Sequence, residues 1–154
     1  MPTEFKTTFA TGQDNYSLRN GGVSAREAQQ PLRIMKVSYT AAGTEATNDY
    51  IDLGAMGLVG ELIPELSRVV NSGSGDADFT FALQKIPADG SAAVGLATGS
   101  VDNDSSALTR AATLENVGRE DRLRVLLTVN TGGGDALEAD EVLTFYLAFA
   151  CPQR

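Results

Sequence analysis

The chain has 154 residues, a net charge of −8 from 20 acidic and 12 basic side chains, no histidine, no tryptophan and one cysteine. This length suits one domain able to remove about 70% of its unfolded surface from water. An acidic surface without a Lys/Arg cluster repels phosphate backbones, and no apolar run approaches the ~18 residues that span a bilayer, so neither nucleic acid nor membrane is an expected partner.

Residues 1–30 are polar and contain the turn signal Asn20-Gly21-Gly22. Their large apolar side chains, Phe5, Phe9, Tyr16 and Leu18, are spaced too loosely for a core element. The segment reads as an extended N-terminal arm, either disordered or laid across a neighbouring subunit. The opening MPTEFKTTFATGQDNYS carries no apolar stretch of signal-peptide type, so use without Sec export is expected.

From Pro31 to the end, residues 31–154 read as one β-sandwich domain. Leu32 to Thr40 (LRIMKVSYT) is rich in β-branched, aromatic and apolar residues, with Met35, Val37 and Tyr39 on one face. The next stretch, DYIDLGAMGLVGELIPELSRVVNSG over 49–73, fits two patterns. Leu58, Leu62, Leu66, Val69 and Val70 fall near helical spacing. A helix there would carry Gly57 and Gly60 at about 1 kcal/mol each and Pro64 at about 3 kcal/mol. Started at Pro64 instead, it is too short to stand without strong packing. Strand–turn–strand is therefore expected, with Pro64 at an edge or bulge. Met56, Leu58 and Val59 are apolar side chains on that turn, where polar ones belong, so the fold or a neighbouring subunit should cover them.

Three later segments alternate with period two, which sends successive side chains to opposite faces. Asp78 to Ile86 points Phe79, Phe81 and Leu83 one way. Arg122 to Asn130 does the same with Leu123, Val125, Leu127 and Val129, and Glu141 to Cys151 with Leu143, Phe145, Leu147 and Phe149. Between them, a short strand is expected over Ala93 to Thr98, a long loop over Gly99 to Asp104 and a further strand over Ala107 to Leu114. The tip Asn130 to Asp135 is expected to join the last two strong segments as an antiparallel pair. Seven or eight short strands without a long helix predict an all-β, antiparallel β-sandwich, jelly-roll-like, with the N-terminal arm attached.

Chemistry-bearing patterns are sparse. Without histidine the commonest general base, the usual zinc ligand and the Ser-His and Cys-His pairs are missing. Acidic residues cluster at Asp76 and Asp78, at Asp102 and Asp104, and at Asp135, Glu138, Asp140 and Glu141, but none of these completes a calcium loop. Glycine spacing matches neither a dinucleotide nor a phosphate loop, and no nucleophile elbow is present. Tyr39, Tyr50 and Tyr146 lie in strand contexts that fit core, rim or interface equally. Cys151 is alone, cannot form an intrachain disulfide and reads as a small apolar filler. No catalytic, cofactor-binding or metal residue is assigned, and an enzyme is not expected.

One pattern resembles a known family. Ile51-Asp52-Leu53-Gly54, a short loop, and Gly60-Glu61-Leu62-Ile63-Pro64-Glu65-Leu66-Ser67-Arg68-Val69 are similar to the small all-β virion proteins that decorate or cement the heads of tailed bacteriophages. The likeness extends through the turn at Ser72 to Asp78 and the closing strand at Val142 to Ala150. The loop Ala55 to Val59 departs from it by lacking a Leu-Pro-Lys-Gly-like turn. The resemblance implies a structural protein on the outer surface of the virion capsid, present in the host cytoplasm during assembly. It also implies binding to the major capsid protein and self-association as a homo-oligomer, a trimer. Phe5, Phe9, Tyr16, Leu18, Met56, Leu58 and Val59 are the candidate partner-binding residues. Alternatives are a tail-associated or head-fibre base module and a carbohydrate- or ligand-binding β-sandwich.

Overall fold

The structure is a computed structural model that describes residues 2–6, 32–55, 57, 59–71, 78–102, 105–111, 115–130 and 136–151. Among these residues the strands are β1 (Glu4–Lys6), β2 (Leu32–Thr40), β3 (Tyr50–Ala55), β4 (Gly60–Leu62), β5 (Arg68–Asn71), β6 (Asp78–Ile86), β7 (Val94–Asp102), β8 (Ser105–Arg110), β9 (Asn116–Val117), β10 (Arg122–Val129) and β11 (Val142–Ala150). One sheet runs β1-β3-β10-β6-β7-β8; the other runs β2-β11-β4-β9, with β5 also paired to β11. The chain is an all-β sandwich. Its pairings are antiparallel apart from β1 on β3, which is parallel. The jelly-roll connectivity expected from the sequence is not established by this strand order.

The alternating segments fold as their patterns dictate. Val37 and Tyr39 of β2, Phe79, Phe81 and Leu83 of β6, Leu123, Val125 and Leu127 of β10, and Leu143, Phe145, Leu147 and Phe149 of β11 are all buried between the sheets. Burying each such side chain contributes about 1.5–3 kcal/mol, so these four strands dominate the core. Phe81 and Phe145 meet across the sheets edge to face, with centroids 6.4 Å apart and planes at 87°. That geometry sets the positive ring edge against the negative face.

Several expectations are corrected. Val129 is 47% exposed, because a register shift between Leu127 and Val129 breaks the alternation at the end of β10. The last two strong segments do not pair: β10 lies between β3 and β6, whereas β11 lies in the other sheet beside β2, β4 and β5. Alternation marks which face is apolar but is silent on which sheet a strand joins. The expected loop after Thr98 is instead strand, since β7 continues through Gly99 to Asp102 against β6. Pro64 sits neither at a strand edge nor in a bulge. It opens a 3-10 turn, Pro64–Leu66, between β4 and β5, where its fixed φ suits a first helical position. As expected, the described residues of this stretch form strands rather than a long helix, but β3 and β4 belong to different sheets, so the strand–turn–strand unit is a crossover rather than a hairpin.

Candidate functional site

Register assigns the outward side chains of β2, β11 and β5 to a single face. Leu32 stands opposite Ala150, Ile34 opposite Ala148, Lys36 opposite Tyr146 and Ser38 opposite Thr144. On the far side of β11, Tyr146 faces Arg68 and Thr144 faces Val70. Tyr146 is therefore the middle of a three-residue row. Lys36 Nζ lies 5.8 Å and Arg68 Cζ 4.9 Å from its ring centroid, placing two cations on one aromatic ring. Such a contact is worth about 0.5–1 kcal/mol where exposed, enough to hold the side chains but not to neutralise them. In the next row Ser38 and Thr144 share a hydroxyl hydrogen bond of 3.2 Å.

The other end of this face is apolar. Ile34 is 59% and Leu32 45% exposed, and Leu66, on the 3-10 turn across β11, is 57% exposed. That turn is stitched to β11. The Ser67 hydroxyl donates to Ile63 O at 2.8 Å and accepts from Ala148 N at 2.9 Å, while Ile63 N donates to Ala148 O at 2.8 Å. In a chain of net charge −8, strands β2, β5 and β11 carry no carboxylate, and their outward cations are Lys36 and Arg68, while Arg33 lies in the inward register opposite Phe149.

The outer face of the opposite sheet is arranged differently, because its polar groups satisfy one another. Arg122 Nη2 donates to Asp52 Oδ2 at 2.5 Å, and Arg124 Nε donates to Gln84 Oε1 at 2.8 Å while stacking 4.9 Å from the Tyr50 ring. Thr80 and Thr128 pair at 2.8 Å. The three tyrosines thus separate: Tyr50 and Tyr146 are platforms for cations on opposite faces, and Tyr39 is core. The Tyr39 hydroxyl donates to Glu45, and burial first, then that carboxylate, pushes its ionisation above the ordinary phenol range.

The acidic clusters divide between cap and surface. Glu141 is buried and accepts from Asn71 Nδ2 at 3.2 Å and from Glu138 N at 2.9 Å, which makes it a turn cap. Asp49 likewise accepts from Thr3 N at 2.7 Å and Ala46 N at 3.0 Å. Asp78 and Asp102 come together as exposed cross-strand neighbours, while Asp76, Asp104 and Asp135 lie outside the described residues. Among the described residues no three His, Cys, Asp or Glu side chains gather as metal ligands. A shallow open cleft of about 610 Å³ lies between the turn after β6 and residues 118–121. Its polar groups serve its own turns: Asp121 accepts from Ala88 N at 3.1 Å and Gly118 N at 2.7 Å, and Lys85 Nζ donates to Asn116 O at 2.7 Å.

Of the residues expected to bind a partner, Phe5 packs within its own chain. It pairs with Ile51 in the β1–β3 ladder, is partly buried and meets Tyr39 edge-on at 6.4 Å. Val59 is 42% exposed just before β4. Phe9, Tyr16, Leu18, Met56 and Leu58 lie outside the described residues. Tyr146 was noted from the sequence as fitting core, rim or interface, whereas Leu32, Ile34, Lys36 and Arg68 were not among the residues expected to bind a partner. The signal for Leu32, Ile34 and Lys36 was present in LRIMK, where both faces of one strand are apolar or basic; Arg68 carried no such signal. Comparison with protein-family models, with curated proteins and with solved structures finds no match.

Proposed function

We propose that this chain is a structural virion protein of a tailed bacteriophage, decorating or cementing the capsid by binding the major capsid protein and bridging capsomers. It acts by binding rather than by catalysis, and the face made by β2, β11 and β5 is its contact surface. The observation that carries this reading is the outer face of β2, β11 and β5, apolar at one end and cationic at the other, with no carboxylate on these three strands of an otherwise acidic chain. Glu61 and Glu65, beside its apolar end, are paired with Arg110. Large exposed apolar side chains beside Lys36 and Arg68, which have no carboxylate partner among the described residues, fit a partner surface that is apolar and acidic. The family resemblance of the 51–69 segment supplies the virion context.

Size supports a repetitive partner. Three strands at about 4.8 Å spacing and nine residues at about 3.4 Å rise give a face of roughly 400 Å². That is about half of the ~800 Å² each partner contributes to a standard stable interface. A single contact of this size is weak, but subunits that also hold one another bind an array with avidity. Self-association, a trimer by the resemblance, is therefore part of the proposal. Co-sedimentation with purified heads, assembled from the capsid protein of the same genome, tests it. Binding in a fixed ratio to capsid subunits is expected; protein that stays in the supernatant at every ratio sinks the reading.

A further inference from the structure

From the edges of the two sheets, we propose that two copies of this chain pair along β2, antiparallel, about a two-fold axis at Ile34. The inference concerns the strand edge rather than the outer face, and it stands whether or not a capsid is the partner.

Exposed strand edges invite pairing, and most of the edges here are short or covered. β1 has three residues and β9 two. β8 is tied to the opposite sheet: Ser106 Oγ accepts from Val69 N at 2.9 Å, and Arg110 reaches Glu61 at 2.7 Å and Glu65 at 3.1 Å. β2 differs on each count. It has nine residues, contains no proline and, among the described residues, pairs on one side only, with β11. Its register with β11 is unbroken from Leu32 to Thr40, whereas the β3–β10, β6–β10 and β6–β7 ladders all contain a shift. Among the described residues, this straight, unbulged edge ends its sheet with no strand beyond it.

Charge and apolarity then choose the register. An axis at Lys36 sets Lys36 against its own copy, and one at Arg33 does the same for Arg33; directly opposed like charges destabilise a strand pair. An axis at Met35 sets Ile34 against Lys36 and matches no exposed apolar side chain with another. An axis at Ile34 sets Ile34, the more exposed of the two outward apolar residues, against its copy, with Leu32 beside Lys36 and Arg33 beside Met35. The two Lys36 positions are then about 14 Å apart, from four residues at about 3.4 Å and one strand spacing. That exceeds the screening length of about 8 Å at physiological salt. Among the described residues five pair on each strand, far less than a standard interface, so the dimer forms reversibly and depends on concentration. A contact of this kind is isologous and closes at two copies, so a trimer would use another surface.

Disulfide trapping of the full chain in a Cys151→Ser background tests the register. Opposed residues in an antiparallel pair have Cα atoms about 4.5–5.5 Å apart, inside the range of about 4.4–6.8 Å that a disulfide spans. Ile34→Cys should give an oxidised dimer more than about tenfold faster than Lys36→Cys, whose encounters are only collisional. A mixture of Leu32→Cys and Lys36→Cys chains should give the mixed dimer. Ile34→Cys chains that stay monomeric, or Lys36→Cys chains that cross-link as fast, would overturn the pairing.

Discussion

Replacing Gly99 by alanine should destabilise the sandwich although it adds only a methyl group. Gly99 lies opposite Phe81 in the β6–β7 ladder. A Cβ there would stand 2.3 Å from Phe81 Cζ and 2.8 Å from each Cε. The ring has little room to retreat, because Phe81 is 1% exposed and held by Phe79 at 6.0 Å and Phe145 at 6.4 Å. Overpacking of a closed core costs about 1–3 kcal/mol. Alanine works in the other direction by restricting the unfolded chain, a gain of about 0.5–1 kcal/mol. The clash wins, leaving a net loss of about 1–2 kcal/mol, or roughly 2–8 °C in Tm for a chain of this size. Urea unfolding should show a lower midpoint at unchanged slope. Phe81→Leu, which removes the clashing atoms, should make the two losses less than additive. A Gly99→Ala protein as stable as the parent would refute this packing of Phe81 over Gly99.

Two further substitutions probe buried polar groups. Tyr39→Phe removes the hydroxyl that donates to Glu45 and should cost about 1–3 kcal/mol at neutral pH. Because the folded chain holds the Tyr39 proton more tightly than the unfolded chain, that stability is intact below the ordinary phenol value near 10. It declines as pH rises further, by up to about 1.4 kcal/mol per unit. The gap between parent and variant should therefore narrow by about 1 kcal/mol between pH 10 and 11 in urea unfolding, and parallel curves would contradict this. Asp52→Ala removes the acceptor of both Arg122 Nη2 at 2.5 Å and Gly54 N at 2.8 Å, for an expected loss of about 1–3 kcal/mol. Asp52→Asn keeps an oxygen for Gly54 and should lose less in thermal unfolding; equal losses would mean that only the ion pair matters.

Long alternating segments were legible in the sequence because a period of two has one structural meaning. β2, β6 and β11 begin and end within a residue of where their patterns do, and Phe79, Phe81, Leu143 and Phe145 fall in the core as expected. Partnership was not legible, since pairing depends on residues far away in the chain. Nothing in Arg122 to Asn130 says that β10 takes β3 and β6 as neighbours rather than β11. The extension of β7 was hidden for a different reason. Gly99 and Ser100 resemble loop, and only the Phe81 ring across the ladder explains a glycine there. Phe5 lacked a periodic context, so its three-residue parallel strand left no pattern to find. The candidate face was hidden because Lys36, Tyr146 and Arg68 are brought together only by the β2–β11–β5 register.

The most direct test of the account is binding of the Lys36→Glu/Arg68→Glu protein to purified heads, measured beside the parent and a Thr98→Glu control on the opposite sheet. Both reversed residues are exposed, so the fold should survive, which circular dichroism would verify. If the cationic row on Tyr146 meets an acidic shell, the double reversal should weaken binding by about tenfold or more. The parent should also bind less tightly as salt is raised. The Thr98→Glu control should bind as the parent does. Undiminished binding by the double variant, or an equal loss in the control, would contradict the claim that the β2–β11–β5 face is the surface that grips the capsid.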